Sequence, residues 1–318
     1  MAAAIAYAER TAGQTGQSPA VGCVIVKHGK VIGRGHTQPG GRPHAEAAAL
    51  GMAGEAAAGA DIYVTLEPCA HDSERGPACA ATVTAARPAR VIIACEDPDP
   101  RTAGKGIAML KAAGIEVQCG LMETAARASM AGFFARQTLA RPFVTVKLAT
   151  SLDGRIALPN GESKWITSAA ARAHCHLQRA RHDMILVGAG TVRADNPALT
   201  VRLPGLESRS PARVMLGSGG APEGWQALAS PTDIGELPGN MLFVEGGAET
   251  AASFIRADLA DRLLLYRAPI ILGAGKACLG DIGLHDLMTA HDRWRLVDTR
   301  MLAKDRTEIY ERAIAPDQ

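Results

Sequence analysis

The chain has 318 residues, 47% of them apolar and 21% charged, with a formal net charge of +2 and seven cysteines. That length is about twice a typical domain, so two domains are expected, and a charge so near neutral gives no electrostatic footprint for a nucleic-acid partner. No apolar run approaches the ~18 residues of a membrane span, and an odd, scattered set of cysteines speaks against a disulfide framework and for a reducing cytoplasm.

Residues 1–13 are apolar at first, lack a basic leader and soon turn acidic and polar, which predicts a first helix of the fold in place of a signal peptide. Two β-branched runs around His28-Gly29 predict a hairpin over 21–36. An alanine-rich helix over 44–54, a strand over 61–68, a helix from about 79 and a strand over 90–97 follow, then a helix over 104–114 and a strand over 115–119. Strands alternating with helices imply an α/β layer sandwich with a largely parallel sheet. A last helical stretch over 121–139 leads to Arg141-Pro142, the expected boundary, which gives domains over 1–140 and 141–318.

The second half opens on a strand, PFVTVKLATSLDG (142–154), followed by a helix over about 168–182 and a strand MILVGAG (184–190). Further buried strands are expected in ARVMLGS (212–218), MLFVEGG (241–247) and RLLLYRAPIILG (262–273), with a helix over 249–258 and a strand-rich closure over 294–313. Residues 217–240 are rich in Gly, Pro and Ser and read as loop.

The chemistry begins with Pro43-His44-Ala45-Glu46 at a helix start, Glu67-Pro68-Cys69 at a strand end and Cys79 opening another helix. Zinc binds imidazole and thiolate, and a catalytic site uses three protein ligands and leaves the fourth position to water. A helix N-terminus favours thiolate, which suits Cys79 as a ligand. Glu46, two residues beyond His44, can move protons without occupying the metal. A bare H-x-E is weak; followed by a Pro-Cys after a strand and a helix-opening Cys, it forms the zinc-deaminase pattern. Without metal, the same residues would read as a capped helix and two buried core cysteines. Nine residues separate Cys69 from Cys79, where nucleoside deaminases usually have two, and the longer loop suggests a larger substrate.

Other residues invite a site and are better read as scaffold. His174-Cys175-His176 lies in a helical pattern, where positions two apart do not share a face. Cys23, Cys95 and Cys119 fall in apolar strands and read as small core residues. Gly-Ala-Gly at 188–190 and 273–275 begins a dinucleotide fingerprint, but Arg193 and Cys278 stand where the third glycine belongs. The first of these follows a strand, so close backbone approach to a ligand is expected there.

On these residues the chain resembles the bifunctional deaminase–reductases of riboflavin biosynthesis over nearly its whole length. The first half matches in VGCVIV, PHAEAAAL, DIYVTLEPCAH, DPDP with AGKG, and AAGIEV; the second in VKLATSLDGRIA, GESKWIT, VGAGTVRADNPALTVR, VEGG and YRAPIILG. The resemblance implies a cytidine-deaminase-like three-layer α/β sandwich followed by a dihydrofolate-reductase-like domain. It implies deamination of 2,5-diamino-6-ribosylamino-4(3H)-pyrimidinone 5′-phosphate, then reduction of the ribosyl chain to ribityl with NADPH. By motif position His44, Cys69 and Cys79 would hold zinc and Glu46 would shuttle the proton. Ser163, Arg179, Leu199, Arg202 and Glu245 match substrate-contacting positions. Ala149, Trp165, Thr191, Asp195 and the turn Gly246, Gly247, Ala248, Glu249 and Thr250 match NADP-contacting ones. The arginine pair Arg179 and Arg202 suits a substrate phosphate, which guanidinium binds through two bonds. A small phosphorylated pyrimidine is thus the expected partner, in a cytoplasmic homo-oligomer.

The chain departs from that family in four places. Ser18-Pro19-Ala20 replaces the usual Asn-Pro-Asn, which bears on contacts to the pyrimidine, and Asp97-Pro98-Asp99-Pro100 replaces DPNP, which adds a negative charge. The loop HDSERGPAC is one residue longer than usual, and the stretch between Leu216 and Leu242 is short. Two rivals stay open: a deaminase of another base or nucleoside, and a C-terminal half that is a nucleotide-binding module without turnover.

Overall fold

The computed structural model describes residues 1–72 and 75–313, and these divide into two compact units that meet in the chain between Arg141 and Pro142.

In the first unit, helix α1 (Ala2–Ala8) precedes the hairpin of β1 (Gly22–Lys27) and β2 (Lys30–His36). His28 and Gly29 both take positive φ, 50° and 72°, the conformation a two-residue hairpin turn requires. Helix α2 (Ala45–Ala53) then lies against the hairpin; a Cβ at Gly35 would fall 2.4 Å from the Ala45 carbonyl oxygen, so glycine is what permits the approach. After it come β3 (Asp61–Val64), α3 (Cys79–Ala85), β4 (Arg90–Ile93), α4 (Lys105–Ala112) and β5 (Glu116–Cys119). The sheet order is β2-β1-β3-β4-β5. Only β3, β4 and β5 run parallel; β1 is antiparallel to both neighbours. The sheet is therefore mixed, because a two-residue turn can join only antiparallel strands. The expected helix over 121–139 is two helices, α5 (Glu123–Ser129) and α6 (Ala131–Leu139), separated at Met130, whose φ of −117° leaves the helical region. Cys23 and Cys95 are buried as expected, but Cys119 is exposed because β5 is the sheet's edge strand.

In the second unit β6 (Phe143–Thr150) ends at the SLDG turn, which reverses into β7 (Arg155–Ala157). Helix α7 (Ala169–Arg179), capped by the Ser168 hydroxyl, leads to β8 (Met184–Gly188) and directly into α8 (Ala189–Asp195). The strand expected to reach Gly190 thus stops two residues earlier. Next are β9 (Ala212–Leu216), β10 (Gln226–Leu228), β11 (Met241–Val244), α9 (Ala248–Arg256) and β12 (Arg262–Arg267). Then β13 (Lys276–Ala277), β14 (Trp294–Leu302) and β15 (Asp305–Arg312) complete the unit. The strand expected over 262–273 stops at Arg267, shortly before Pro269, which has no N–H to donate. Residues 217–240 are not all loop: β10 pairs in parallel with β9, and a 3-10 turn spans Pro231–Glu236.

The large sheet has the order β10-β9-β8-β11-β6-β12-β15-β14. It is parallel from β10 to β12 and antiparallel beyond. Its central strands are apolar on both faces, with Val144, Val146, Ile185, Leu186, Leu242 and Phe243 fully buried, as a parallel sheet covered on both sides requires. The carboxyl ends of β6, β8 and β11 deliver Ala149, Gly188 and Glu245 to one edge of the sheet, where open α/β sheets place ligands.

Candidate functional sites

The first unit holds a cavity of about 530 Å³ whose lining includes His44, Glu46, Glu67, Cys69, Asp97 and Asp99. His44 caps the N-terminus of α2, Cys69 follows β3, and Cys79 is the first residue of α3. Their donor atoms all lie within 4.8 Å of one another. His44 Nδ1 is 3.2 Å from the Cys79 sulfur and 3.7 Å from that of Cys69, and the Cys79 N–H donates to Cys69 Sγ at 3.2 Å. A hydrogen bond between the two side chains holds the Cys69 thiol down at about 4, while the same side-chain bond and burial push Cys79 up. One imidazole nitrogen and two sulfurs converging this closely fit zinc with a position left over for a non-protein ligand, and a bound dication would favour both sulfurs as thiolates.

Glu46 is 3% exposed in the first turn of α2. Burial pushes its carboxyl up to about 7, with His44 working against the rise, so it can hold or release a proton near neutrality.

Glu67, two residues before Cys69, was not singled out from sequence. Its buried carboxylate accepts the backbone N–H groups of Asp97 (3.2 Å), Gly104 (3.0 Å) and Ile107 (3.0 Å). It thereby fixes the loop that carries Asp97 and Asp99 and the start of α4 against the metal-ligand segment. A Cβ at Gly106 would sit 2.1 Å from the Pro68 carbonyl oxygen, so that packing requires glycine. Burial pushes Asp97 up to about 6. Asp99 stays ionised, because the Arg101 guanidinium grips it through both carboxylate oxygens. The charge added by the DPDP sequence is therefore neutralised within its own loop. Ser18 and Pro19 line the cavity, whereas Ala20 does not. The loop HDSERGPAC includes residues 73 and 74, which lie outside the described residues.

The second unit holds a cavity of about 360 Å³. Ala149, Ser163, Trp165, Thr191, Asp195, Arg179, Leu199, Arg202, Glu245, Gly246 and Gly247 all line it. Ala248, Glu249 and Thr250 do not. The first turn of α9 carries them away: Thr250 packs on the backbone of Gly188 and Gly246, and Glu249 lies beside Gly280.

The two arginines of the expected pair both line the cavity but are held differently. Arg179 gives Nε and Nη2 to Glu245 at 2.8 and 2.9 Å and Nη1 to the Thr200 carbonyl at 2.9 Å, so three of its five N–H donors are held within the protein while it still lines the cavity. The exposed Arg202 guanidinium makes no hydrogen bond among the described residues. Lys147, which sequence reasoning missed, completes a cluster with its ammonium 3.5 Å from Glu245 Oε1. Its signal was a lone charge inside the apolar strand VTVKLAT. Burial works to raise the Glu245 carboxyl, but Lys147 and Arg179 outweigh it and hold it at about 2. Burial likewise works against the Lys147 ammonium, but Glu245 and Cys175 together leave it raised.

His174, Cys175 and His176 form no metal cluster. His174 bonds the Tyr266 hydroxyl at 2.9 Å, Cys175 faces Glu245, and His176 accepts the Arg202 backbone N–H at 3.3 Å. Among the described residues the group that could hold a metal is His44, Cys69 and Cys79.

Residues 1–95 match the family model described as the cytidine and deoxycytidylate deaminase zinc-binding region, and residues 142–226 and 232–306 match the RibD C-terminal domain. The chain is 41% identical over 315 residues to the riboflavin biosynthesis protein RibD of Bacillus amyloliquefaciens, covering 86% of this chain and 84% of that one. The solved structure of Acinetobacter baumannii RibD (form 1) superposes with a TM-score of 0.89 at 35% identity, covering 98% of each chain. A Thermotoga maritima diaminohydroxyphosphoribosylaminopyrimidine deaminase/5-amino-6-(5-phosphoribosylamino)uracil reductase gives 0.88 at 30% identity, over 98% of this chain and 97% of that one.

Proposed function

Because the chain belongs to the RibD family of riboflavin biosynthesis proteins, we propose that it performs two consecutive reactions on one phosphorylated pyrimidine. The unit Met1–Arg141 deaminates 2,5-diamino-6-ribosylamino-4(3H)-pyrimidinone 5′-phosphate, and the unit from Pro142 reduces the ribosyl chain of the product to ribityl with NADPH. The observation that carries this reading is the presence on one chain of two separate polar cavities, one lined by His44, Glu46 and Cys69 with Cys79 grouped against His44 and Cys69, the other lined by Lys147, Arg179, Arg202 and Glu245.

In the first cavity His44, Cys69 and Cys79 hold zinc, which when bound makes water nucleophilic near neutral pH. Glu46 takes up the proton released as water attacks the ring carbon bearing the exocyclic amine, then delivers it to the nitrogen that leaves as ammonia. Its carboxyl at about 7 suits both directions of transfer. Glu67 holds the opposite loop in place, so that the cavity wall is fixed before substrate enters.

In the second cavity NADPH, when bound, supplies hydride to C1′ of the opened sugar. The Lys147–Glu245–Arg179 cluster gives the floor a fixed pattern of charge, in which Glu245 and the Lys147 ammonium can engage sugar hydroxyls. Arg202 takes the phosphate, since its guanidinium is open. Asp195, Thr191, Ala149, Trp165 and the backbone of Gly246 and Gly247 are the surfaces available to the cofactor.

A deaminase of another base with an inactive C-terminal module is not favoured, since the relatives match across both halves. Feeding the diaminopyrimidine phosphate with and without NADPH and identifying products by mass spectrometry tests the proposal. The deaminated intermediate should appear without NADPH and the ribityl product with it; deamination without any NADPH consumption would sink the second half of the reading.

No helix among the described residues is long and apolar enough to cross a membrane. A cytoplasmic location suits the free thiols of Cys69 and Cys79, and a homo-oligomer suits the edge strand β14, which exposes Leu296, Val297 and Met301. Cell fractionation and light scattering of the purified chain test these two points; a membrane-bound or strictly monomeric chain would contradict them.

A further inference from the structure

The first cavity is lined by three arginines, Arg42, Arg75 and Arg101. Arg42 reaches the Pro77 carbonyl, and Arg75 donates through Nη2 to the Gly40 carbonyl at 2.6 Å. Arg101 is held differently. Its backbone N–H, Nε and Nη2 all bond Asp99, and its side chain is 69% exposed while that of Asp99 is 10% exposed. Among the described residues its Nη1 has no partner.

The support beneath it is continuous. Asp99 gives its own N–H to Asp97 Oδ1 at 2.9 Å, and the Asp97 N–H is held by the buried Glu67 carboxylate, which also holds Gly104 and Ile107. The guanidinium plane is thus set by a chain of bonds running back to the segment that bears Cys69. A side chain fixed in this way loses little conformational freedom when a ligand arrives.

The ligand's chemistry follows from the charges. Glu46 and Asp97, both buried, line the same cavity, and their carboxyl groups make no favourable partner for an anion. A substrate with one anionic group must leave that group near solvent, where Arg101 offers an open donor edge. Guanidinium matches phosphate oxygens in both charge and geometry.

We propose that Arg101, braced by Asp99, binds the 5′-phosphate of the deaminase substrate and discriminates phosphorylated from dephosphorylated pyrimidines. The assignment rests on the deaminase reading given above. One charge-assisted bond near solvent is worth about 10-fold in binding.

The test is kcat/KM for deamination by the full chain, measured on the phosphorylated diaminopyrimidine and on its dephosphorylated counterpart. Ribose 5-phosphate serves as a competitive probe, and reductase activity of the same preparation reports that the protein is intact. Arg101→Ala should lose about 10-fold on the phosphorylated compound, leave the dephosphorylated value unchanged and weaken inhibition by ribose 5-phosphate by the same factor. Arg101→Lys should recover part of the loss, because a point charge cannot serve Asp99 and the phosphate together. Equal losses on both compounds, or an unchanged inhibition constant, overturn the assignment. A wild-type chain that fails to deaminate the phosphorylated compound overturns the functional reading itself, and the assignment with it.

Discussion

Glu245→Gln removes one charge from a buried cluster of three and leaves Lys147 and Arg179 facing an amide. The side chains of Lys147, Arg179 and Glu245 are 18%, 12% and 14% exposed, so water screens them little. The fall of the Glu245 carboxyl from 4.5 to about 2 corresponds to about 3 kcal/mol at roughly 1.4 kcal/mol per pH unit. Breaking a buried pair by removing one partner costs ~3–5 kcal/mol. Glutamine keeps the shape and one acceptor, so a loss of about 2–3 kcal/mol is expected at pH 7. The sign with pH follows from linkage. A carboxyl depressed in the folded state stabilises fully above its unfolded value of 4.5, and loses that contribution as pH falls through about 2. The gap between wild type and variant should therefore be constant above about pH 5 and narrow below it. All three tryptophans, Trp165, Trp225 and Trp294, lie in the second unit, so urea unfolding followed by tryptophan fluorescence reports on that unit alone. A variant with the wild-type midpoint at pH 7, or a gap that does not narrow in acid, would refute the reasoning.

Two further substitutions separate the sites. Glu46→Gln should keep zinc bound yet slow deamination by on the order of 10²–10⁴-fold while reduction of pre-deaminated substrate stays intact; metal analysis and the two assays run in parallel check it, and a joint fall of both activities in a folded variant would contradict the two-site assignment. Arg202→Ala should lower kcat/KM of the reduction by about 10-fold or more, with partial recovery in Arg202→Lys, because the Arg202 guanidinium makes no hydrogen bond among the described residues whereas three of the five Arg179 donors are held within the protein; steady-state kinetics showing an unchanged kcat/KM in Arg202→Ala would contradict it.

Sequence by itself determined the features that depend on neighbours a few residues away. His28-Gly29 specifies a hairpin turn because both residues take positive φ there, and the apolar runs of the second half specify central strands because such a sheet is covered on both faces. The metal-ligand reading of His44, Cys69 and Cys79 was legible because ligand chemistry restricts residue type and each candidate sits at the start or end of an element.

Tertiary structure decided what depends on distant partners. Glu67 looks like any strand-end carboxylate until residues 30, 37 and 40 positions away bring it their N–H groups. Lys147 meets Glu245 across 98 residues, and Arg179 meets it across 66. Those meetings tie Arg179 to a buried carboxylate, while the Arg202 guanidinium makes no hydrogen bond among the described residues. The direction of β1 against β3, the exposure of Cys119 at a sheet edge and the rotation of Ala248, Glu249 and Thr250 out of the second cavity have the same origin. Local rules fix which face a side chain takes along its own element. What that face meets is set by how the elements pack, and charge placement and cavity shape are properties of that packing.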